Sequence, residues 1–306
     1  MDQLYALYRK AERGELPYDF DFLLKYFSLD ATVVTQVMAI LLEKVKEDSS
    51  YAHTLSVLFN PYTEVNKTII ELFATNLDPL KKTYFAVLGT DQHIDYDGQT
   101  FGRILKLDPN FILEYIDQMY KGKEWLSRHD DTRDYSFLWM CNDYKEIMTR
   151  VVDRIYEQEQ IRFPSTYLET FFRLRENDSN EAEITEKQDH FLTGLIERRH
   201  HDPDFIEFVF RVIAQFPPER RRLFVALFLQ HNQTFEDFQR LRLEPNSQGW
   251  SGSKIPVLQK CMEYFEALLP LLNTVNLLQH KQYVEQRIQG LRSEIEQEKK
   301  RDFIKD

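Results

Sequence analysis

Glycine and proline are scarce in this sequence, whose 306 residues include only 9 Gly and 11 Pro. This is roughly half the usual share, which excludes collagen-like, glycine-rich and turn-dense all-β chains. Long apolar runs are also missing. The longest, residues 223–229, is far shorter than the ~20 residues that a membrane-spanning helix needs, so we expect no membrane partner. Apolar residues still make up 42% of the chain, enough for a sizeable core.

Cysteine is limited to Cys141 and Cys261, which are too few for a disulfide framework. We expect both to be small core residues in a reducing, cytoplasmic compartment. The first residues, 1–6, lack the basic and apolar regions of a secretory signal, and this favours the same localisation.

The charge balance is acidic, with a formal net charge of −11. Such a chain repels nucleic-acid phosphates unless its basic residues cluster. Two short clusters occur, Arg198-Arg199-His200-His201 and Arg220-Arg221-Arg222. Neither alternates with aromatic residues as a base-stacking strip would. We predict that each lies at a helix terminus as a solvated face, so we do not expect a nucleic-acid partner.

Helical periodicity recurs along the whole chain, and no run alternates long enough to predict a strand. Asp-Pro pairs at Asp78, Asp108 and Asp202 predict helix starts, because Asp accepts bonds from the first turn and Pro needs no partner there. Apolar residues recur every three or four positions in several segments, each of which predicts one helix: Val34–Val45, Ile112–Met119, Met148–Ile155, Ile206–Ile213 and Cys261–Leu272.

The helices are expected to form an irregular array of antiparallel pairs, like a helical repeat or solenoid. Residues 215–218 form a short connection between two helices, which favours a helix hairpin. The starts at Asp108 and Asp202 share a similar five-residue pattern, as successive repeats would. We predict one array over 1–306, with a subdivision into 1–175 and 184–306 at a polar loop; a compact helical bundle is the alternative.

The last helix is predicted to be long and charged. Its apolar residues form only a thin seam, which suits a terminal cap or a coiled-coil contact. Arg292–Glu296 and Glu296–Lys300 have the spacing of ion pairs along a helix. Pro270 is expected to kink or end the preceding helix. The seam consists of Leu277, Val284, Ile288, Leu291 and Ile295.

One cluster has the form of a metal site. Asp130-Asp131-Thr132-Arg133-Asp134 fits the Asp-Asp-x-x-Asp pattern with which all-α prenyl-diphosphate enzymes hold Mg²⁺. Arg128, His129 and Arg133 neutralise the cluster, however, and no second Asp-rich motif follows. We interpret it as a charged turn and keep an all-α Mg²⁺-dependent enzyme as the alternative function.

Other catalytic patterns fit no better. His200-His201-Asp202 has the His-Asp pair of metal phosphohydrolases but lacks the further ligands, and Asp202 suits the cap before Pro203. Neither a Gly-x-Ser-x-Gly elbow nor a phosphate-binding loop occurs in the sequence. We therefore predict no catalytic, cofactor-binding or metal-binding residues. Six phenylalanines are expected to fill a core, with a partner groove as the alternative: Phe205, Phe208, Phe210, Phe216, Phe224 and Phe228.

Four segments near the C-terminus stand out: Leu243-Glu244-Pro245-Asn246-Ser247, Trp250-Ser251-Gly252-Ser253, Leu268-Leu269-Pro270-Leu271-Leu272-Asn273 and His280-Lys281-Gln282-Tyr283-Val284-Glu285-Gln286-Arg287. With them, the sequence from residue 235 onward resembles the extreme C-terminal region of large bacterial P-loop NTPases of the signal-transduction (STAND) type, a group that includes the antiviral AVAST sensors. In those proteins a helical arm recognises the trigger, and the effector and NTPase regions precede it; neither region is present here. The likeness covers about the last 70 residues.

The combined expectation is a non-catalytic protein-recognition or scaffold module. A stacked helical array offers an extended surface, and docking a protein needs no perturbed acid–base group. The resemblance would make the chain the sensor arm of a bacterial antiviral defence NTPase. Its partner would then be a phage protein or an NTPase or effector chain, and no cofactor is expected.

Overall fold

Helices make up the regular structure in the computed structural model, and no strand occurs among the residues it describes. The predicted all-α fold is confirmed. The described residues are 13, 31–49, 52, 56–60, 62, 64–88, 90, 95, 98–121, 135–157, 164–174, 179–244 and 253–305.

The chain divides into two compact units. The first comprises residues 1–154 with 173–175, and the second comprises residues 155–172 with 176–306. The arrangement of all 306 residues as one array, subdivided near residues 176–183, stays a prediction.

The first unit holds the helices up to α7, whose last two residues belong to the second unit. A 3₁₀ turn, Val57–Phe59, lies between the first two helices. The helices are α1 (Ala31–Glu47), α2 (Glu64–Leu72), α3 (Asp78–Leu88), α4 (Gln99–Leu107), α5 (Phe111–Lys121), α6 (Ser136–Trp139) and α7 (Tyr144–Tyr156).

A buried carboxylate fixes the start of α4. Asp95, which is 4% exposed, accepts hydrogen bonds at 2.7 Å from the backbone N–H groups of Thr100 and Phe101. The Tyr84 hydroxyl donates to the same carboxylate at 3.0 Å. These bonds satisfy donors of the first turn, which have no partner inside the helix. The buried Asp95 carboxylate therefore has a structural role, which is to hold the start of α4 in place.

A buried lysine links α3 to the start of α5. Lys81, which is 8% exposed, donates to Asp108 at 2.9 Å and to Glu114 at 2.6 Å. Burial alone would lower the pKa of Lys81, but the bonds to Glu114 and Asp108 outweigh it and raise that pKa. Lys81 therefore keeps its positive charge, and its role is to hold α3 to the start of α5.

The second unit contains the remaining helices and two further 3₁₀ turns, Leu269–Leu272 and Val275–Leu277. Its helices are α8 (Pro164–Phe172), α9 (Glu181–Arg199), α10 (Pro203–Ile213), α11 (Pro218–His231), α12 (Phe235–Arg240), α13 (Ile255–Leu268) and α14 (Leu278–Lys305).

Helices of the second unit pack against the next helix but one. Helix α8 contacts α10, which contacts α12, which in turn contacts α14. In the same way α9 contacts α11, and α11 contacts α13. Two layers result, joined by contacts of α9 with α10 and of α13 with α14. This alternation is typical of stacked helix pairs. The sequence repeat itself stays a prediction.

The predicted helix boundaries are partly correct. Asp202 caps α10 by accepting a bond from the Phe205 N–H at 3.1 Å, as expected. At Asp108 the expected start is wrong by a few residues, because helix α5 begins only at Phe111. The Asp108 carboxylate instead accepts bonds from the Asn110 N–H, at 3.0 Å, and from Lys81. Asp108 therefore stabilises the turn before α5 and does not cap the helix itself.

The end of the chain agrees with the predicted seam. Helix α13 ends at Leu268, and a 3₁₀ turn that contains Pro270 follows. All five seam residues are buried, although Leu277 belongs to the 3₁₀ turn before α14. The ion pairs of α14 differ from the predicted Arg292–Glu296 and Glu296–Lys300 pairs. Arg292 instead binds Glu266 of α13 at 2.9 Å. Glu296 binds Lys299 instead, at 2.8 Å.

Candidate protein-docking face

Helix α11 carries apolar side chains on two opposite sides. Phe224, Val225, Phe228 and Leu229 are buried, and Phe228 has no exposed surface. Leu223 belongs to the same apolar run but is 63% exposed. A helix that is apolar all round is normally enclosed by protein. The apolar surface of α11 therefore exceeds what the core of the second unit covers.

The exposed side of α11 forms a continuous stripe. Its residues recur at intervals of three and four, which places them on one helix face. Ala226 and Leu227 are half-buried, and the other members are exposed. We call this set the docking face; it consists of Glu219, Arg222, Leu223, Ala226, Leu227 and Gln230.

Arg220 attaches the first turn of α11 to α9. Its Nε donates to Asp189 at 2.5 Å, and its Nη2 donates to Gln188 at 3.0 Å. The guanidinium also lies 3.8 Å from the centre of the Phe216 ring. Only 12% of the Arg220 side chain is exposed. The prediction of a solvated face is therefore wrong for this residue.

Arg221 is buried still more deeply, with 4% of its surface exposed. Its Nη1 donates to the Leu243 carbonyl at 3.3 Å, and the guanidinium lies 4.0 Å from the centre of the Tyr264 ring. Burial lowers the pKa of Arg221. The solvated-face prediction is wrong here as well, because the guanidinium stacks on an aromatic ring of α13. Of the three arginines, Arg222 alone is exposed.

The side chains around Arg221 are shifted toward their neutral forms. Burial raises the pKa of Tyr264 to about 12 and that of Cys261 to about 11. A thiol with a raised pKa is a poor nucleophile at neutral pH. Cys261 is buried, as predicted, whereas Cys141 is only half-buried. This part of the second unit is a packed core.

The far end of α11 meets the far end of α9. The rings of His200 and His231 lie 5.4 Å apart. Asn232 donates from its side-chain amide to the His200 carbonyl and to Asp237, both at 2.9 Å. At the opposite end Arg220 contacts α9 through Asp189. The two helices therefore lie side by side and run in the same direction.

The cluster Arg198-Arg199-His200-His201 is only partly solvated. Arg198 and His201 are exposed, whereas Arg199 is half-buried. The Arg199 guanidinium lies 3.5 Å from the centre of the Phe205 ring and binds Asp202 at 3.1 Å. Asp202 is thus occupied as a cap and an ion-pair partner. Nowhere in the described part of the chain do three His, Cys, Asp or Glu side chains come together to hold a metal ion.

Unpaired carboxylates border the docking face on the α9 side. Glu186 and Glu197 are exposed, and each precedes by three residues a side chain, Asp189 or His200, that contacts α11. This spacing places Glu186 and Glu197 one helix turn from the side chains through which α9 contacts α11. Neither has an ion-pair partner among the described residues.

The opposite border, on α13, carries charges of both signs. Lys260 and Glu263 are exposed and lie on the helix turn that ends at Tyr264, the residue facing Arg221. Within the described ranges neither Lys260 nor Glu263 forms an ion pair. The same holds for Glu219 and Arg222 on α11. The face and its borders thus carry four carboxylates and two cations that form no ion pair with any residue that the structure describes.

Two features predicted from the sequence lie outside the described residues. The Asp-rich cluster at Asp130, Asp131 and Asp134 is one of them, so the alternative of a Mg²⁺ enzyme stays a prediction. Residues 245–252, which carry part of the resemblance to STAND-type NTPases, are the other. The remaining segments of that resemblance lie in the region from α12 to α14.

Comparison with known proteins does not assign this chain to a family. No family model, curated protein or solved structure matches the chain. None of the helices among the described residues is both long and apolar enough to cross a membrane.

The docking face was missed in the sequence analysis, although a signal for it was present. The six phenylalanines expected in the core are indeed buried, so that prediction is confirmed. The signal lies in the apolar run at 223–229, in which only Phe224 and Phe228 are predicted to fill the core. A run of this kind surrounds a helix completely, because successive residues are 100° apart. One side of α11 packs inward, and Leu223 on the other side stays 63% exposed.

Proposed function

We propose that this chain is a non-catalytic protein-recognition module that binds a partner protein through the docking face. The observation that carries the proposal is Leu223, which stays 63% exposed beside half-buried Ala226 and Leu227. Covering such a leucine is worth about 1–2 kcal/mol. Exposed apolar patches with a polar rim are typical of interaction sites.

The rigidity of α11 supports this proposal. Arg220 and Arg221 fix its first turn to α9 and α13, and Asn232 fixes its last turn to the end of α9. A face held at both ends loses little conformational entropy when a partner covers it. The groups with the largest pKa shifts, Cys261 and Tyr264, lie on the inner side and face no solvent. Recognition by the outer side uses neither of them.

The resemblance of the C-terminal region adds a more specific proposal. If that region is the sensor arm of a bacterial antiviral NTPase, the partner is a phage protein or an NTPase or effector chain. The two-layered helices of the second unit suit such an arm, because stacked helices present one long outer surface. Localisation in the cytoplasm belongs to the same proposal.

Photo-crosslinking tests the proposed function directly. A benzophenone amino acid replaces Leu223 in one sample and Val275 in the control, and both proteins are irradiated in cells of the source organism. Val275 suits the control because it is 92% exposed and lies outside the docking face. We expect a protein adduct from position 223 that is absent from position 275. Adducts of equal yield from both positions, or from neither, would overturn the proposal.

A quantitative step follows with the purified partner. Leu223→Ser should weaken its binding about tenfold, as expected for a central apolar contact, and Val275→Ser should not change it. Both variants should keep the wild-type thermal midpoint, since both side chains are exposed. A partner that binds Leu223→Ser as tightly as wild type is not recognised by this face.

A further inference from the structure

The spacing of the docking face fits a single helix as its occupant. Glu219, Leu223, Ala226 and Gln230 follow one another at steps of four, three and four residues. These steps place all four residues on one side of α11, with the apolar Leu223 and Ala226 in the middle and the polar Glu219 and Gln230 at the ends. Helix α11 has 14 residues, so it offers about 21 Å of contact length. A partner helix of about four turns covers it.

The charges around the face favour a basic occupant. Glu186 and Glu197 border it on the α9 side, and both are exposed and unpaired within the described residues. Glu219 and Glu263 add two more carboxylates, against the two cations Arg222 and Lys260. Charge complementarity across an interface raises association rates and disfavours partners of the wrong sign.

The same charges argue against two other occupants. A second copy that used this face would place Glu186, Glu197 and Glu219 opposite an equally acidic surface. Like charges in contact cost free energy, so self-association through this face is disfavoured. Nucleic-acid phosphates meet the same repulsion, because the two local cations are outnumbered by carboxylates.

We infer that the docking face binds an amphipathic helix of its partner whose apolar stripe is flanked by lysine and arginine. This inference rests on the proposed function and adds the chemical class of the partner segment. Leucine-sized side chains of that helix contact Leu223, Ala226 and Leu227. Its basic flanks lie against the carboxylates of Glu197 and Glu186 on α9 and of Glu263 on α13.

Two synthetic probes test the charge preference. Both are fluorescein-labelled helical peptides of about sixteen residues with the same leucine stripe; one has lysine flanks and the other has glutamate flanks. Binding to the full-length protein is followed by fluorescence anisotropy at low salt. We expect the basic probe to bind at least about tenfold more tightly, and we expect this ratio to shrink as salt is raised.

Variants then locate the binding. Leu223→Ser should weaken the basic probe about tenfold, whereas Val275→Ser should leave its affinity unchanged. The double variant Glu197→Gln with Glu263→Gln should reduce the preference for the basic probe severalfold. Glu285→Gln on α14, also exposed, serves as its control and should reduce nothing. Equal thermal midpoints show that each variant is folded.

The outcomes separate this inference from the proposed function. Equal affinity of both probes, or tighter binding of the acidic probe, overturns the inference about charge. If neither probe binds, the inference that a helix is the occupant is overturned. Affinity that is indifferent to Leu223→Ser also overturns it, because the peptide then binds elsewhere. In all of these cases a position-specific adduct from residue 223 would still support protein recognition by this face.

Discussion

Helices α11 and α14 both pack against neighbouring helices of the second unit, but they carry different amounts of apolar surface. In α14 the buried residues Val284, Ile288, Leu291 and Ile295 form one narrow line, and nearly all the side chains between them are polar or charged. In α11 the apolar residues surround the helix, and Leu223 remains 63% exposed. Along this line α14 therefore carries about the apolar surface that its packing requires, and its exposed leucine, Leu278 (56% exposed), is the first residue of the helix. In α11 the exposed Leu223 lies inside the packed part of the helix, directly before the buried Phe224. The excess on α11 is the exposed apolar part of the docking face.

The largest effect expected from this comparison separates the two sides of α11. Phe228→Ala should lower the free energy of unfolding by about 3–5 kcal/mol, because a fully buried ring leaves a cavity. Leu223→Ala should change it by less than about 0.5 kcal/mol, because the side chain is largely exposed. Urea denaturation of both variants measures the two values. A large loss for Leu223→Ala would mean that the exposed side of α11 belongs to the core after all.

Arg221 provides the next test. Arg221→Ala should cost about 2–3 kcal/mol, because its aliphatic stem and its stacking on Tyr264 are lost in a buried site. Arg221→Met should cost much less, since methionine keeps the volume and no longer requires a charge to be buried. Urea denaturation of both variants distinguishes a packing role from a charge role. Equal losses would show that the guanidinium charge, and not the volume, holds α11 to α13.

The two arginines show where sequence reasoning was reliable and where it failed. Periodicity predicted the helices and the seam of α14, because both depend on local spacing. The burial of Arg220 and Arg221 depends instead on Phe216, Tyr264 and Asp189, which are brought near by packing. Three successive arginines look alike in the sequence. Only the neighbouring helices determine that two of them point inward and one outward.

The docking face failed to emerge from the sequence for a related reason. A run such as 223–229 shows that a helix is apolar on every side, but it does not show which side is covered. That depends on the positions of α9 and α13, which contact α11 through residues far away in the sequence. The unpaired state of Glu186 and Glu197 is likewise a property of the packed unit. Spacing alone could have indicated an excess of apolar surface, but not its location.

The contact between α12 and α14 should depend on pH. His280 of α14 is 1% exposed and lies against the rings of Phe235 and Phe238, at 5.4 Å and 4.8 Å. Burial lowers the pKa of His280 below its ordinary value of 6.5, and the Thr234 backbone and Glu236 offset this only in part. The unfolded chain therefore binds a proton at a higher pH than the folded chain does.

The sign of the effect follows from this difference in proton binding. The contribution of neutral His280 is complete above the unfolded pKa of about 6.5, and it is lost as the pH falls through the folded pKa. Thermal midpoints measured between about pH 7.5 and pH 5 should fall less steeply in His280→Phe than in wild type. Parallel curves for the two proteins would show that protonation of His280 does not destabilise the folded chain.

The smallest expected change in the free energy of unfolding concerns an ion pair on the exposed face of α14. Arg292 binds Glu266 at 2.9 Å, but 62% of the Arg292 side chain is exposed. Exposed ion pairs contribute about 0–1 kcal/mol, because water solvates both charges and the pairing restricts two long side chains. Arg292→Ala should therefore change the free energy of unfolding by less than about 0.5 kcal/mol, and adding salt should reduce the difference further. A loss as large as that of Arg221→Ala would mean that charge, rather than the thin apolar seam, attaches α14 to α13. The contrast between a helix with just enough apolar surface and one with an excess would then no longer hold.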